Sequence, residues 1–226
     1  MILSIIIPVY NEIETIEQII KKILAVDIEK EIIIVDDGST DGSGEYLRKL
    51  HYENIKVIFH KKNQGKGAAV KTGIENVSGD YLLVQDADLE YNPQDYKKLI
   101  APIIEKKAQV VYGSRFKGGG KMFFKQYIGN KFLTYCINLL YGSKLSDLHT
   151  CYKLIPKFIA QSFVLREKGF GFDTEVTARL LKKKIAIYEV PISFAYRESK
   201  QGKKISYLKD GFKSLWILIK IKLGWS

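Results

Sequence analysis

The sequence predicts an α/β protein built on a mostly parallel, doubly wound sheet. Three observations carry this. The apolar runs are short and nearly continuous, as strands buried on both faces require. Segments with helical spacing of apolar residues separate those runs. Acidic clusters directly follow three of the runs, where an open α/β sheet binds its ligands.

Taken in order, Ile2–Ile7 is the first strand, stopped by Pro8, and Ile13, Ile16, Ile20, Ile23 and Leu24 recur at helical spacing after it. Glu31–Asp36 is a second buried strand, Asp41–Leu50 a helix, Ile55–Phe59 a third strand and Gly67–Asn76 a helix. Tyr81–Gln85 is a fourth strand, Pro93–Glu105 a helix with proline at its start, and Gln109–Gly113 a fifth strand. Beyond the Gly118-Gly119-Gly120 punctuation come a helix over Gln126–Tyr141, a strand over Thr150–Ile155, a helix over Asp173–Lys183 and a strand over Ile185–Pro191.

The 226 residues hold 36 Lys+Arg against 25 Asp+Glu, a net charge of +11, and 46% are hydrophobic. Such a chain can bury one full core, and this composition excludes disorder. A single domain is expected over 1–196, with halves 1–113 and 114–196, followed by a basic amphipathic segment, 197–226. Two cysteines, Cys136 and Cys151, offer no disulfide framework and no zinc spacing, which points to a reducing compartment. The opening MILSIIIPVYNE has neither a basic leader nor a cleavage site, and no apolar run approaches the ~18 residues of a membrane span.

The excess positive charge implies an anionic partner: nucleic acid, a phosphorylated metabolite or a lipid surface. It concentrates at the end of the chain, where residues from 197 onward include eight basic and two acidic side chains. On a helix over Ser206–Trp225, the residues Leu208, Phe212, Leu215, Trp216, Ile219 and Leu223 form one stripe with lysines along its edges. That pattern fits a helix lying among lipid headgroups and equally a helix packed on the domain.

The chemistry should sit at the strand ends. Strand one runs into Pro8-Val9-Tyr10-Asn11-Glu12, strand two into Asp36-Asp37-Gly38-Ser39-Thr40-Asp41, and strand four into Asp86-Ala87-Asp88. In an extended segment, side chains two apart project the same way, so Asp86 and Asp88 can converge on one hard cation. All-oxygen ligands select Mg²⁺ or Mn²⁺ over zinc. Asp36 and Asp37, side by side, repel each other unless a cation, a ligand donor or backbone N–H groups engage them. Asp41 can instead simply cap the following helix. A phosphate-binding P-loop is missing, Gly65-Lys66-Gly67 is a poor dinucleotide fingerprint, and the lysines of the 60–66 loop read as solvated surface.

Together these motifs resemble family 2 glycosyltransferases of the GT-A fold. Val35–Asp41, Asn63-Gln64-Gly65-Lys66-Gly67 and Asp86-Ala87-Asp88-Leu89 carry the likeness. Gly113-Ser114-Arg115, Asp147-x-x-Thr150-Cys151-Tyr152-Lys153, Phe172-Asp173-x-Glu175 and Val190-Pro191-Ile192 narrow it to the dolichyl- and polyprenyl-phosphate sugar synthases. The resemblance implies that Pro8, Tyr10, Glu12 and Asp37 hold the base and ribose of a nucleotide sugar. It makes Asp86 and Asp88 ligands of Mg²⁺ or Mn²⁺ on the diphosphate, with Ala87 leaving backbone room. Arg115 would meet a phosphate, Asp147 would stand as an acid near the reacting centre, and Arg197, Lys203 and Lys204 would contact phosphates. Asp173 and Glu175 would face sugar or acceptor, or else merely start their helix.

Mannose synthases of this kind commonly carry Gln where Glu90 stands, and Arg in the stretch of Lys125 and Lys131. GDP-mannose and UDP-glucose type donors therefore both remain open. The implied reaction is an inverting hexose transfer to a dolichyl or polyprenyl phosphate at the cytoplasmic face of a membrane, by a peripheral enzyme that binds no nucleic acid. With a hydroxyl acceptor instead, Asp147 would be the general base. A nucleotidyltransferase and a nucleic-acid-binding module are the remaining alternatives.

Overall fold

The computed structural model describes residues 1–120, 123–196 and 207–225. The apolar runs become β1 (Leu3–Val9), β2 (Lys30–Asp36), β3 (Ile55–Phe59), β4 (Tyr81–Val84) and β5 (Val110–Ser114). β6 (Lys153–Pro156) and β7 (Ile187–Pro191) complete one seven-stranded sheet, in the order β3-β2-β1-β4-β6-β5-β7. Ile5, Ile6 and Ile7 of β1 and Ile32, Ile34 and Val35 of β2 are wholly buried, which is why their runs do not alternate. Crossover helices α1 (Ile16–Leu24), α2 (Ser43–Arg48), α3 (Lys66–Asn76) and α4 (Tyr96–Ile104) join the first five strands. α3 approaches β1 so closely that a Cβ on Gly73 would lie 2.4 Å from a methyl of Ile6.

The sheet is parallel except at β6, which runs antiparallel to both β4 and β5. Both halves of the chain share it. Strand β1 does not stop at Pro8: Pro8 pairs with Val35 and Val9 with Asp36. The Ile6 carbonyl, facing β4, accepts from Gln85, and the last β1–β4 pair is Ile6 with Val84. Two residues on, Pro8 faces the same side past the end of that ladder, where its missing N–H costs no bond.

The expected helix over Asp41–Leu50 is shorter, because Asp41 is used just ahead of it. Its carboxylate accepts from the Ile13 and Ser43 backbones and from the Ser43 hydroxyl. Pro93–Asp95 forms a 3-10 turn before α4. The five-residue helix α6 (Lys157–Gln161) was not expected.

Beyond β5, helices α5 (Phe124–Tyr141), α7 (Phe172–Lys182) and α8 (Tyr207–Leu223) meet around a second apolar cluster that includes Leu133, Ile137, Ala178, Ile217, Leu218 and Ile221. α8 is thus packed on the domain through Ile217, Leu218 and Ile221. Of the stripe read from the sequence, Phe212, Trp216 and Leu223 are exposed and Ile219 half-buried, while Leu215 at its edge packs against the cluster. Among the described residues no helix is long and apolar enough to cross a membrane.

Candidate active site

At the carboxyl ends of β1 and β2, two loops are laced together. The Asn11 side chain accepts from the Thr40 backbone at 2.8 Å, while the Asn11 and Glu12 backbones donate to the Ser39 and Ser43 hydroxyls, each at 3.0 Å. Asn11 takes a left-handed φ of 57°, which an asparagine tolerates better than most residues. Tyr10 and Glu12 stand half-buried on this rim, and the Glu12 carboxylate accepts from the Thr15 hydroxyl. The Asp36-Asp37 repulsion is relieved by protein donors. Asp36 accepts from Ser39, and Asp37 accepts from His60 Nδ1 at 2.7 Å and from the Gln64 and Gly65 backbones. Asp37 is buried and pins the 60–65 loop, a role the sequence did not disclose. That loop is also pressed from outside, since a Cβ on Gly65 would lie 2.4 Å from the Lys168 carbonyl oxygen.

Pinning the loop delivers Lys66 to the end of β4. Its ammonium lies 2.7 Å from Asp86 Oδ1, so this lysine, read from sequence as solvated surface, belongs to the acidic centre. Burial works against the charge on Lys66, yet Asp86, together with other groups around it including Asp173, outweighs that and holds the ammonium well above its usual pKa. Next along the chain, burial together with the Asp86 and Glu90 carboxylates pushes the Asp88 carboxyl up to about 7. Leu89 turns the chain with a left-handed φ of 66°, a strained choice for a residue with a branched side chain. The turn is braced from below by Gln85, whose side-chain oxygen accepts from the Tyr96 and Tyr152 hydroxyls and whose amide donates to the Asp86 carbonyl.

Arg115 and Asp147 meet across the site. Two guanidinium nitrogens donate to the two carboxylate oxygens, each at 2.7 Å, and the Arg115 backbone adds a third bond. The Asp147 backbone is itself fixed by Glu189, which accepts from Ser146 and Asp147. The Arg115 side chain retains 9% exposure and Asp147 none. Asp147, expected beside the reacting centre, lies buried beneath Arg115. Its carboxylate is fully engaged, and it presents no surface to a substrate.

A second buried pair lies beside it, Lys153 Nζ to Asp173 Oδ1 at 2.6 Å. Burial opposes the charge on Asp173, but Lys153 and Lys66 together hold its pKa below the usual carboxylate value. Glu175 instead accepts from the Arg166 and Glu167 backbones and from Arg179, so it shapes the loop that presses on Gly65. Of this motif, only Asp173 joins the charged cluster.

His149 donates to or accepts from Thr174 through Nε2, and its buried Nδ1 has no partner. Burial lowers its pKa to about 4 from 6.5. Between those values the unfolded chain binds the proton and the folded chain does not, so stability falls as pH drops from 6.5 toward 4. His149→Gln is expected to remove on the order of 2 kcal/mol of that loss. Melting temperatures followed across this window should be flatter for the variant than for the parent.

Asp86 and Asp88 are the residues that could hold a divalent ion. Among the described residues no three His, Cys, Asp or Glu side chains are grouped to bind a metal unaided. Two carboxylates completed by ligand phosphates are the usual Mg²⁺ arrangement, and the charge crowding that raises Asp88 is what a cation would relieve. Arg197 and Lys203 lie outside the described residues. The residues missed from sequence are Lys66, His60, Lys153 and Glu189. For Lys66, the signal was its place at the start of α3, one crossover before the acidic strand end.

A family model described as Glycosyl transferase family 2 matches residues 4–163. The UDP-N-acetylglucosamine–dolichyl-phosphate N-acetylglucosaminyltransferase of Methanococcus voltae is 30% identical, over 99% of this chain and 97% of its own. The dolichyl-phosphate beta-glucosyltransferase of Saccharomyces cerevisiae is 31% identical, over 99% of this chain and 75% of its own. Among solved structures, a Mycobacterium tuberculosis glucosyl-3-phosphoglycerate synthase with Mn²⁺, UDP-glucose and phosphoglyceric acid superposes with a TM-score of 0.75. That match covers 97% of this chain and 79% of the other at 19% identity, and it shows the shared fold. With the strand-end motifs in place on that fold, the chain belongs to glycosyl transferase family 2 and is a GT-A glycosyltransferase related to the dolichyl-phosphate sugar transferases.

Proposed function

We propose that the enzyme transfers a hexose or N-acetylhexosamine, with inversion, from a nucleotide diphosphate sugar to a dolichyl or polyprenyl phosphate at a membrane surface. The observation that carries this is the grouping of Lys66, Arg115 and Lys153 around the acidic end of β4 while Asp147 is locked onto Arg115. A phosphate acceptor is ionised near neutral pH, its second pKa being about 6, and needs no strong base. A hydroxyl acceptor would need one, and the carboxylate expected for that work is buried.

Pro8, Tyr10, Glu12 and the loop held by Asp37 frame the nucleotide end of the site. Asp86 and Asp88 would hold Mg²⁺ or Mn²⁺, and that ion would offset charge on the diphosphate leaving group. Lys66 leans on the same charge, and Arg115, backed by Asp147, receives a phosphate. The name of the Methanococcus voltae relative favours a uridine donor over GDP-mannose.

The test is a donor panel of labelled UDP-N-acetylglucosamine, UDP-glucose and GDP-mannose with dolichyl phosphate in detergent and Mn²⁺. The expected result is labelled lipid from a UDP sugar that is stable to chelator only once formed. Label transferred to a sugar hydroxyl and never to dolichyl phosphate would reverse the choice of acceptor.

A further inference from the structure

The two sides of α5 have opposite fates. Leu133, Thr134 and Ile137 are buried, whereas Phe124, Ile128, Phe132, Tyr135 and Leu139 are exposed, Phe124 by 75% and Leu139 by 72%. At ~100° per residue these five fall within an arc roughly 80° wide and extend about 22 Å along the helix. Lys125 and Lys131 stand at the two edges of the arc, and no acidic residue occurs in α5. A continuous apolar surface of this kind marks a contact with something else. Adjoining α8 turns Phe212 and Trp216 away from the shared cluster, and from Gly211 to Trp225 it carries Lys220 and Lys222 with no acid, Lys213 being paired with Glu167 at 2.6 Å.

The charges choose the occupant. A second copy paired about a two-fold axis would set the same lysines against one another. Residues 197–206 contain one large apolar side chain, Ile205, too little to cover five. Apolar side chains flanked by lysines and aromatics suit the boundary between acyl chains and anionic headgroups.

We propose that α5, beside α8, is the surface on which the protein rests on an anionic bilayer. Its outer stripe enters the lipid boundary, and Lys125 and Lys131 lie among the phosphates. This deepens the proposed function, on which it rests only for the reason that a membrane is at hand. The position also suits a lipid-borne acceptor. The Tyr127 ring stands edge-on to Phe116 at 5.3 Å, Lys131 Nζ lies 4.0 Å from the Phe116 ring centre, and Phe116 directly follows Arg115. A phosphate at headgroup level beside the start of α5 is therefore next to Arg115.

The full chain is tested by co-sedimentation with phosphatidylcholine vesicles, with and without phosphatidylglycerol and free of polyprenyl phosphate. The parent should pellet with the anionic vesicles, less so at high salt. The triple variant Phe124→Gln/Ile128→Gln/Leu139→Gln should lose at least about tenfold in vesicle affinity while its melting temperature stays unchanged. Lys125→Glu/Lys131→Glu should lose the preference for phosphatidylglycerol. Equal pelleting of parent and triple variant overturns the proposal. A concentration-dependent dimer without vesicle binding, abolished by the triple variant, overturns it in favour of a contact between copies. Vesicle binding that survives alongside a failed donor panel counts against the proposed reaction and leaves this surface standing.

Discussion

Asp88→Asn is expected to lower glycosyl transfer by on the order of 10³-fold, because it removes one of two anionic oxygen donors from the proposed metal site. The same change should stabilise the metal-free protein. Folded, Asp88 titrates at about 7, against 3.8 for an ordinary Asp carboxyl, since burial and the neighbouring Asp86 and Glu90 oppose its charge. Between those values the folded state binds the proton and the unfolded state does not, so the parent loses stability as pH rises through the window. Asparagine carries no charge to repel. In chelator at pH 8, Asp88→Asn should therefore melt above the parent, and added Mn²⁺ should raise the parent's melting temperature but not the variant's. An Asp88→Asn enzyme with near-parental turnover would remove this residue from the metal site. Opposed changes in stability and activity are what a site strained for function predicts. The left-handed φ at Leu89 places backbone strain at the same turn.

How much of this was readable in the sequence differs between the two halves of the chain. The parallel strands β1 and β2 announced themselves because burial on both faces leaves little room for polar residues, and the edge strand β3 kept a mostly apolar run despite its half-exposed side chains. The direction of β6 did not, because an apolar run reads the same in either orientation. Helix α6, at five residues, is shorter than two turns and has no period to detect. The acidic strand ends identified the site, but not which carboxylates are open. Asp37 shares residue type and strand-end setting with Asp86 and Asp88, yet it is taken up by His60, 23 residues away, while Asp147, in the loop before β6, is met by Arg115, 32 residues away. Lys66 was misread for the same reason. Its distance in sequence from Asp86 spans a whole helix and strand, and only the crossover of α3 brings the two together. Local pattern locates elements, while the pairing of charges belongs to topology.

The pair Arg115 and Asp147 is where that distinction has its largest consequence for stability. Asp147→Asn is expected to cost about 3–5 kcal/mol, because it leaves a guanidinium buried with no countercharge. Arg115→Met strands the Asp147 carboxylate in the same way and should cost a similar amount. Replacing both, Arg115→Met/Asp147→Leu, removes the unmet charges together, so the double variant should recover much of the stability lost by either single change. Transfer to dolichyl phosphate should not recover with it, because the proposed phosphate-binding cation is gone. Denaturant unfolding measured beside transfer rates on all three variants separates the two roles. Restored stability with restored transfer would mean that the pair only fills the space under Phe194, against whose ring Arg115 lies at 5.2 Å. Restored stability without transfer would make Arg115 the contact to phosphate and Asp147 the residue that holds it there.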